Sequence, residues 1–213
     1  MKKFFIAFII LSVGGGLSHA QSDARPRKFQ AGLTGSLNHV FSYGTEKDYQ
    51  PGKNDFPVTP GHTAGGIGIF AAYSVSSLIA VEIETRFYLR SKMTLKDPSD
   101  QDSVDVRSAS HAALAVGAVF SFSRGRFRPY AAVGAGIDAL LVKAETYTSK
   151  FGYEIEFQPP SKKLDPFLKA RTGVKYFLKP RLGIRGEAGY TLIFGDQNKI
   201  HSLDFAAGIF YGF

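Results

Sequence analysis

The sequence predicts an all-β protein built as an eight-stranded antiparallel up-and-down transmembrane β-barrel. Three observations predict it. Eight segments alternate apolar and non-apolar residues with period 2, the connections between them are alternately short and long, and the last alternating stripe runs to the final residue, Phe213. Period-2 alternation marks a strand with one greasy face and one that is not. A barrel strand shows lipid only every second residue, so the mean hydropathy of −0.06 does not argue against a membrane.

Ahead of the strands, Met1, Lys2 and Lys3 form a charged start, Phe4 to Val13 an apolar core, and Ser18-His19-Ala20 a small-x-small cleavage site before Gln21. This describes a secretory signal peptide over 1–20, removed from a barrel domain over 21–213. The apolar run is too short, and too soon interrupted by Gly14, Gly15 and Gly16, to span a bilayer as a helix. Cysteine is absent, so neither a disulfide framework nor thiol chemistry is expected.

Strand one, 29–41, sets Phe29, Ala31, Leu33, Leu37 and Phe41 against Gln30, Thr34, Ser36 and Asn38. Strand two, 64–75, sets Ile67, Ile69, Ala71, Tyr73 and Val75 against Gly66, Gly68, Phe70 and Ser74. Strand three, 78–90, is the clearest: Ile79, Val81, Ile83, Thr85, Phe87 and Leu89 alternate with Glu82, Glu84, Arg86, Tyr88 and Arg90. Strand four, 108–122, turns Ala112, Leu114, Val116, Ala118, Phe120 and Phe122 outward, and strand five, 129–141, does so with Val133, Ala135, Ile137 and Leu141 against Gly134, Gly136 and Asp138. Strand six, 165–178, sets Leu168, Val174, Tyr176 and Leu178 against Lys169, Arg171 and Lys175. Strand seven, 182–194, sets Leu182, Ile184, Ala188, Tyr190, Leu192 and Phe194 against Arg185, Glu187 and Thr191. Strand eight, 202–213, carries Leu203, Phe205, Ala207, Ile209, Tyr211 and Phe213 on its apolar face and Asp204 on the other.

The short connections are Ser76-Ser77, Ser123-Arg124-Gly125-Arg126 and Lys179-Pro180-Arg181. Two of the long ones carry Pro51, Pro57 and Pro60, and Asp97, Pro98, Asp100, Asp102 and Asp105. Short turns on one rim and long loops on the other are the pattern of barrels with periplasmic turns and extracellular loops. Phe151, Tyr153, Ile155 and Phe157 also alternate, and the expectation is that strands five and six extend there as a hairpin beyond the membrane rather than that two strands are added.

With the apolar faces in lipid, Glu82, Glu84, Arg86, Arg90, Asp138, Lys169, Arg171, Lys175, Arg185, Glu187 and Asp204 point inward. Eight strands leave a lumen just wide enough for side chains, so these charges must pair. The expected result is an ion-pair network that plugs the lumen, with His111 joining it; the sharper alternative is a narrow ion path or a polar ligand site. Glycines such as Gly66, Gly68, Gly134, Gly136, Gly189 and Gly208 fit the plug by making room for long Arg and Lys chains. Gly65-Gly66-Ile67-Gly68 opens no helix and does not complete a dinucleotide fingerprint. His39, His62, His111 and His201 have no metal-ligand spacing, so no metal and no cofactor is expected. The net charge of +8 could suggest nucleic acid, but the basic residues do not gather on a helix, and no nucleic-acid partner is expected. Basic residues do gather beside the short turns: Arg25, Arg27, Lys28, Arg124, Arg126, Arg128, Lys179 and Arg181. Two readings stand there, ordinary solvated turns or attraction to anionic headgroups.

The terminal stripe Phe205, Ile209, Tyr211 and Phe213 resembles the last strand of bacterial outer-membrane β-barrels, whose final aromatic is read by the barrel-assembly machinery. The mature chain as a whole resembles the outer-membrane β-barrel domain family, the small OmpA- and OmpX-like barrels, without the peptidoglycan-binding domain of the OmpA type. The resemblance implies residence among outer-membrane lipids and a non-enzymatic role in which long loops contact extracellular or host ligands; a porin-like pore is the alternative, and a lipid-modifying enzyme a third. Lipid A deacylases are similar small barrels with a His-x-Ser pair on one strand, but His201 and Ser202 are adjacent here and alternation puts them on opposite faces. The competing fold is a soluble lipocalin-like barrel, which would bury the apolar faces and leave the charged stripe of strand three in water.

Overall fold

A computed structural model describes residues 28–41, 61–96, 103–108, 110–141, 145–148, 154–157, 164–195 and 199–213. The expected signal peptide and Gln21, together with Arg25, Arg27, Pro51, Pro57, Pro60, Asp97, Pro98, Asp100, Asp102, Phe151 and Tyr153, lie outside the described residues. The strands are β1 (Phe29–Val40), β2 (His62–Ser74), β3 (Ile79–Tyr88), β4 (Lys92–Lys96), β5 (Ser103–Arg107), β6 (Ser110–Ser121), β7 (Phe127–Leu141), β8 (Glu145–Thr148), β9 (Glu154–Phe157), β10 (Leu164–Phe177), β11 (Leu182–Phe194) and β12 (Lys199–Gly212).

Eight of these close a barrel in the order β1-β12-β11-β10-β7-β6-β3-β2, every neighbour antiparallel. The closing seam pairs β1 with β12, Leu33 opposite Ile209 and Gln30 opposite Gly212, and ends on a bond from Phe213 N–H to the Phe29 carbonyl at 2.9 Å. Closure satisfies the backbone groups that an open sheet edge would leave bare, which hydrocarbon cannot do.

Side-chain exposure is inverted relative to a water-soluble barrel. Ile67 is 67% exposed, Leu33 58% and Ile209 55%, whereas Glu82, Arg86 and Asp204 are each 2% exposed. An apolar band of this extent is a lipid-facing surface. The lipocalin-like alternative fails on this observation.

Two further hairpins rise from the long-loop rim. Among the described residues β8 pairs only with β9, Glu145 opposite Phe157, as a separate two-stranded sheet. The expected continuous extension of the fifth and sixth barrel strands is therefore corrected: past the rim β6 and β11 have ended, and a ribbon left with one partner per strand twists more strongly than the sheet beneath it. The second hairpin, β4 with β5, pairs Lys92 with Arg107 and Lys96 with Ser103 in a stretch expected to be a polar loop. Its signal was the alternation of Met93 and Leu95, then Val104 and Val106, on either side of a sequence rich in Asp. The two hairpins touch along β5 and β8.

Candidate functional site in the barrel lumen

Inward positions of four strands supply one electrostatic unit. β3 contributes Glu82, Glu84 and Arg86 at alternate residues, β10 Lys169 and Arg171, β11 Arg185 and Glu187, and β12 Asp204. In the ring order β3 stands diametrically opposite β11, so the pairs that join them cross the lumen.

Arg86 is the hub. Its Nε meets Glu84, its Nη2 donates to Glu187 and its Nη1 donates to Asp204. Arg171 Nη2 donates to Glu82 Oε1 at 2.5 Å, and its Nη1 donates to Glu84 and reaches Glu187 at 3.4 Å. Arg185 spans Glu82 and Glu187, both at 3.1 Å, and Lys169 Nζ donates to Asp204 Oδ2 at 3.0 Å. The guanidinium fork suits such a lattice because its donors diverge in one plane toward several carboxylates. Four carboxylates thus face four cations, all buried except the half-buried Lys169 and Arg171. The balance matters, since an uncompensated charge in a dry interior costs several kcal/mol.

Bare backbone makes space for the long side chains at some glycines. A Cβ on Gly68 would lie 2.9 Å from Arg86 Cγ, and one on Gly189 3.2 Å from Arg171 Cβ. Elsewhere the space is taken by rings instead: Gly66 faces Tyr88 and Gly136 faces Phe167.

Toward the short turns the lumen is stopped by aromatics. Phe70, Phe177 and Phe210 form a buried cluster, with Phe177 and Phe210 edge to face at 5.0 Å. Arg185 Cζ lies 3.7 Å over the Phe70 ring, and the Tyr130 hydroxyl donates to Glu187 Oε2 at 2.5 Å, tying this layer to the lattice. Arg128 closes the turn end, its guanidinium 4.3 Å over Phe177. The charge-based expectation missed this layer. Its signal was present, because Phe70, Tyr130, Phe177 and Phe210 share the parity of the inward residues on their strands.

Toward the long loops the lumen opens into a cavity of about 30 Å³ lined by Asn38, Tyr88, His111, Asp138, Lys169 and Ser202 among others. That is room for about two waters. His111 stacks on Tyr88 at 4.5 Å and its Nδ1 lies 2.7 Å from Asp138 Oδ1, while Asn38 Nδ2 donates to Ser202 Oγ at 3.2 Å.

Three of the expected network residues lie outside the lattice. Arg90 is exposed beyond the end of β3, where Ser91 and Ser108 close the base of the β4–β5 hairpin, and its Nε donates to the Ser108 carbonyl at 3.1 Å. The strand leaves the barrel before Arg90 can turn inward. Asp138 is buried but sits nearer the loop rim with His111. Lys175 lies in the aromatic layer, donating to Gln30 Oε1 at 3.1 Å and facing the rings of Tyr130 and Phe210 at 5.5 and 5.9 Å. On the outer wall, His201 is exposed and Ser202 buried, as alternation requires; His201 Nδ1 meets the Tyr190 hydroxyl.

The closed eight-stranded barrel with an apolar exterior and a charged interior accords with the family comparison, in which the model of the "Outer membrane protein beta-barrel domain" matches residues 8–213. The chain belongs to this family. Family membership makes it an outer-membrane protein. Among solved structures it is similar to Neisserial surface protein A, with TM-score 0.54, 15% identity and coverage of 87% of this chain and 97% of that one. It is also similar to the outer membrane protein OprG from Pseudomonas aeruginosa, with TM-score 0.55, 13% identity and coverage of 90% and 99%. At such identities the likeness is one of fold. A comparison with curated protein sequences finds no match.

Proposed function

We propose that this protein is a non-enzymatic surface scaffold of the outer membrane, exported with cleavage after Ala20, whose plugged barrel is a rigid mount for loops that contact extracellular or host ligands. The observation that carries this reading is the lattice across the lumen, with an aromatic layer beneath it. A hydrated ion would have to separate Arg86 and Arg171 from their carboxylates before it could pass. The hairpins β4–β5 and β8–β9 support the second half of the reading, since paired strands hold a loop surface in shape beyond the rim.

Planar-bilayer recording of refolded protein tests the plug; the expected result is no steady single-channel conductance. Cells displaying the protein should also adhere to a ligand-coated surface better than cells displaying a version whose two hairpins are replaced by short turns. A stable open channel, with adhesion unchanged by trimming, would overturn the scaffold reading in favour of a pore for small solutes.

A further inference from the structure

The short-turn rim carries positive charge on one side and, among the described residues, no carboxylate side chain. Lys28 precedes β1, Arg124 and Arg126 sit exposed in the β6–β7 turn, and Lys179 and Arg181 in the β10–β11 turn. The strands they flank, β1-β12-β11-β10-β7-β6, are consecutive around the barrel, so the cations form one arc; the β2–β3 turn opposite, Val75-Ser76-Ser77-Leu78, is uncharged. The lattice does not neutralise the arc, because its own charges cancel among themselves.

The arc is held at a definite height on the wall. Arg181 Nη1 donates to the Tyr211 hydroxyl at 3.3 Å, and Tyr211 packs edge to face on Phe213 at 5.1 Å, with Phe29 5.7 Å from Phe213 on its other side. These three rings are exposed on the lipid-facing surface, so the guanidinium is fixed at the level where aromatic side chains meet lipid headgroups. The other turn is braced from within. Arg128 donates through Nε to the Gly125 carbonyl at 2.8 Å and through Nη2 to the Arg124 carbonyl at 3.0 Å, so Arg124 and Arg126 project from a turn of set shape. Phe122 and Phe127, both exposed, continue the aromatic band beneath them.

We propose that this arc is a binding surface for anionic phospholipid headgroups of the leaflet that meets the short turns. The chemistry fits a phosphodiester: guanidinium and ammonium donors stand just above an apolar aromatic belt, within reach of a phosphate whose acyl chains lie along that belt. Only the arc side selects anionic lipid; the β2–β3 side does not.

The test is electron spin resonance of spin-labelled phosphatidylglycerol and phosphatidylcholine around the refolded full-length barrel in phosphatidylcholine vesicles. With one headgroup held at each cation, about 1 kcal/mol per basic residue sets the expected preference of the unmodified protein for phosphatidylglycerol at about fivefold per site at low salt. The preference should shrink as salt shortens the screening length and vanish in the variant K28Q/R124Q/R126Q/K179Q/R181Q, whose folding is checked by heat-modifiable gel migration. The substituted side chains are exposed and outside the lattice, so the variant is expected to fold. A second variant, R124K/R126K/R181K, keeps the charge and should keep the preference. Equal selectivity in the unmodified and charge-free proteins would overturn the proposal. So would binding of the unmodified protein to isolated peptidoglycan sacculi with no lipid preference, which would make the arc a contact for a periplasmic polymer.

Discussion

Removing the charge from Glu82 and Glu84 together tests whether the lumen lattice acts as one unit. In the native barrel Arg171 is held by Glu82 at 2.5 Å, by Glu84 and by Glu187 at 3.4 Å, and Arg185 by Glu82 and Glu187 at 3.1 Å each. After E82Q/E84Q, Arg171 and Arg185 must share Glu187 with Arg86, and four cations face two carboxylates. Losing one partner of a buried ion pair costs about 3–5 kcal/mol. Two losses would double that, but glutamine keeps the shape and its carbonyl still accepts one hydrogen bond worth about 1 kcal/mol. The expected destabilisation is therefore about 4–8 kcal/mol, a large share of the roughly 5–15 kcal/mol that holds a typical domain folded.

The chain contains no tryptophan, so the urea titration is best followed by the gel mobility of unboiled samples and by far-ultraviolet circular dichroism. Adding R171M to E82Q/E84Q removes the cation that lost most and should recover about 1–2 kcal/mol, because an ion pair replaced on both sides costs less than one broken on one side. Two results would refute the reasoning: an unfolding midpoint for E82Q/E84Q equal to that of the unmodified protein, or further destabilisation when R171M is added.

Other substitutions probe the wall and the seam. Deleting Phe213 removes a ring that is 61% exposed and the bond to the Phe29 carbonyl. Detergent-refolded protein should lose at most about 1–3 kcal/mol, while cell-assembled protein should show a much larger loss of the folded, heat-modifiable band; equal behaviour would remove the case for Phe213 as an assembly signal. G68V forces a branched side chain against Arg86 Cγ and the Thr85 carbonyl, both within 2.9 Å of the added Cβ, and should cost about 1–3 kcal/mol. Its control is G35A, where nothing lies within 4 Å and the urea midpoint should barely move. I83K places a charge on the lipid face near mid-strand, where Ile83 is now exposed, and should destabilise the vesicle-embedded barrel by about 2–4 kcal/mol, a cost that refolding yield in vesicles measures.

Much of the fold was legible because alternation is local. Which face of each barrel strand meets lipid follows from residue parity, and parity survives wherever backbone pairing is continuous; hence Leu33, Ile69, Ile83 and Ile209 stand outside and Glu82, Arg86, Arg185 and Asp204 inside, as read from the chain. The short turns and the order of the eight strands were legible for the same reason. Parity fails where a strand leaves the barrel. Arg90 keeps the inward parity of β3, yet the junction with Ser91 and Ser108 takes it to the rim. The hairpins β4–β5 and β8–β9 depend on where the neighbouring strands stop, which no single segment encodes.

Depth and partnership were decided by tertiary structure alone. Sequence parity placed Lys175 and Asp138 in the same set as Arg171 and Glu187, but the register of β10 against β7 and β11 carries Lys175 down to Gln30 and the aromatic rings, while Asp138 meets His111 near the loop rim. The pairing of Arg86 with Glu187 and Asp204 joins residues more than a hundred positions apart in the chain. It exists because closing the ring sets β3 across the lumen from β11, and the stagger between strands brings those particular layers to one height. A local pattern states which way a side chain points; only the closed ring states what it points at.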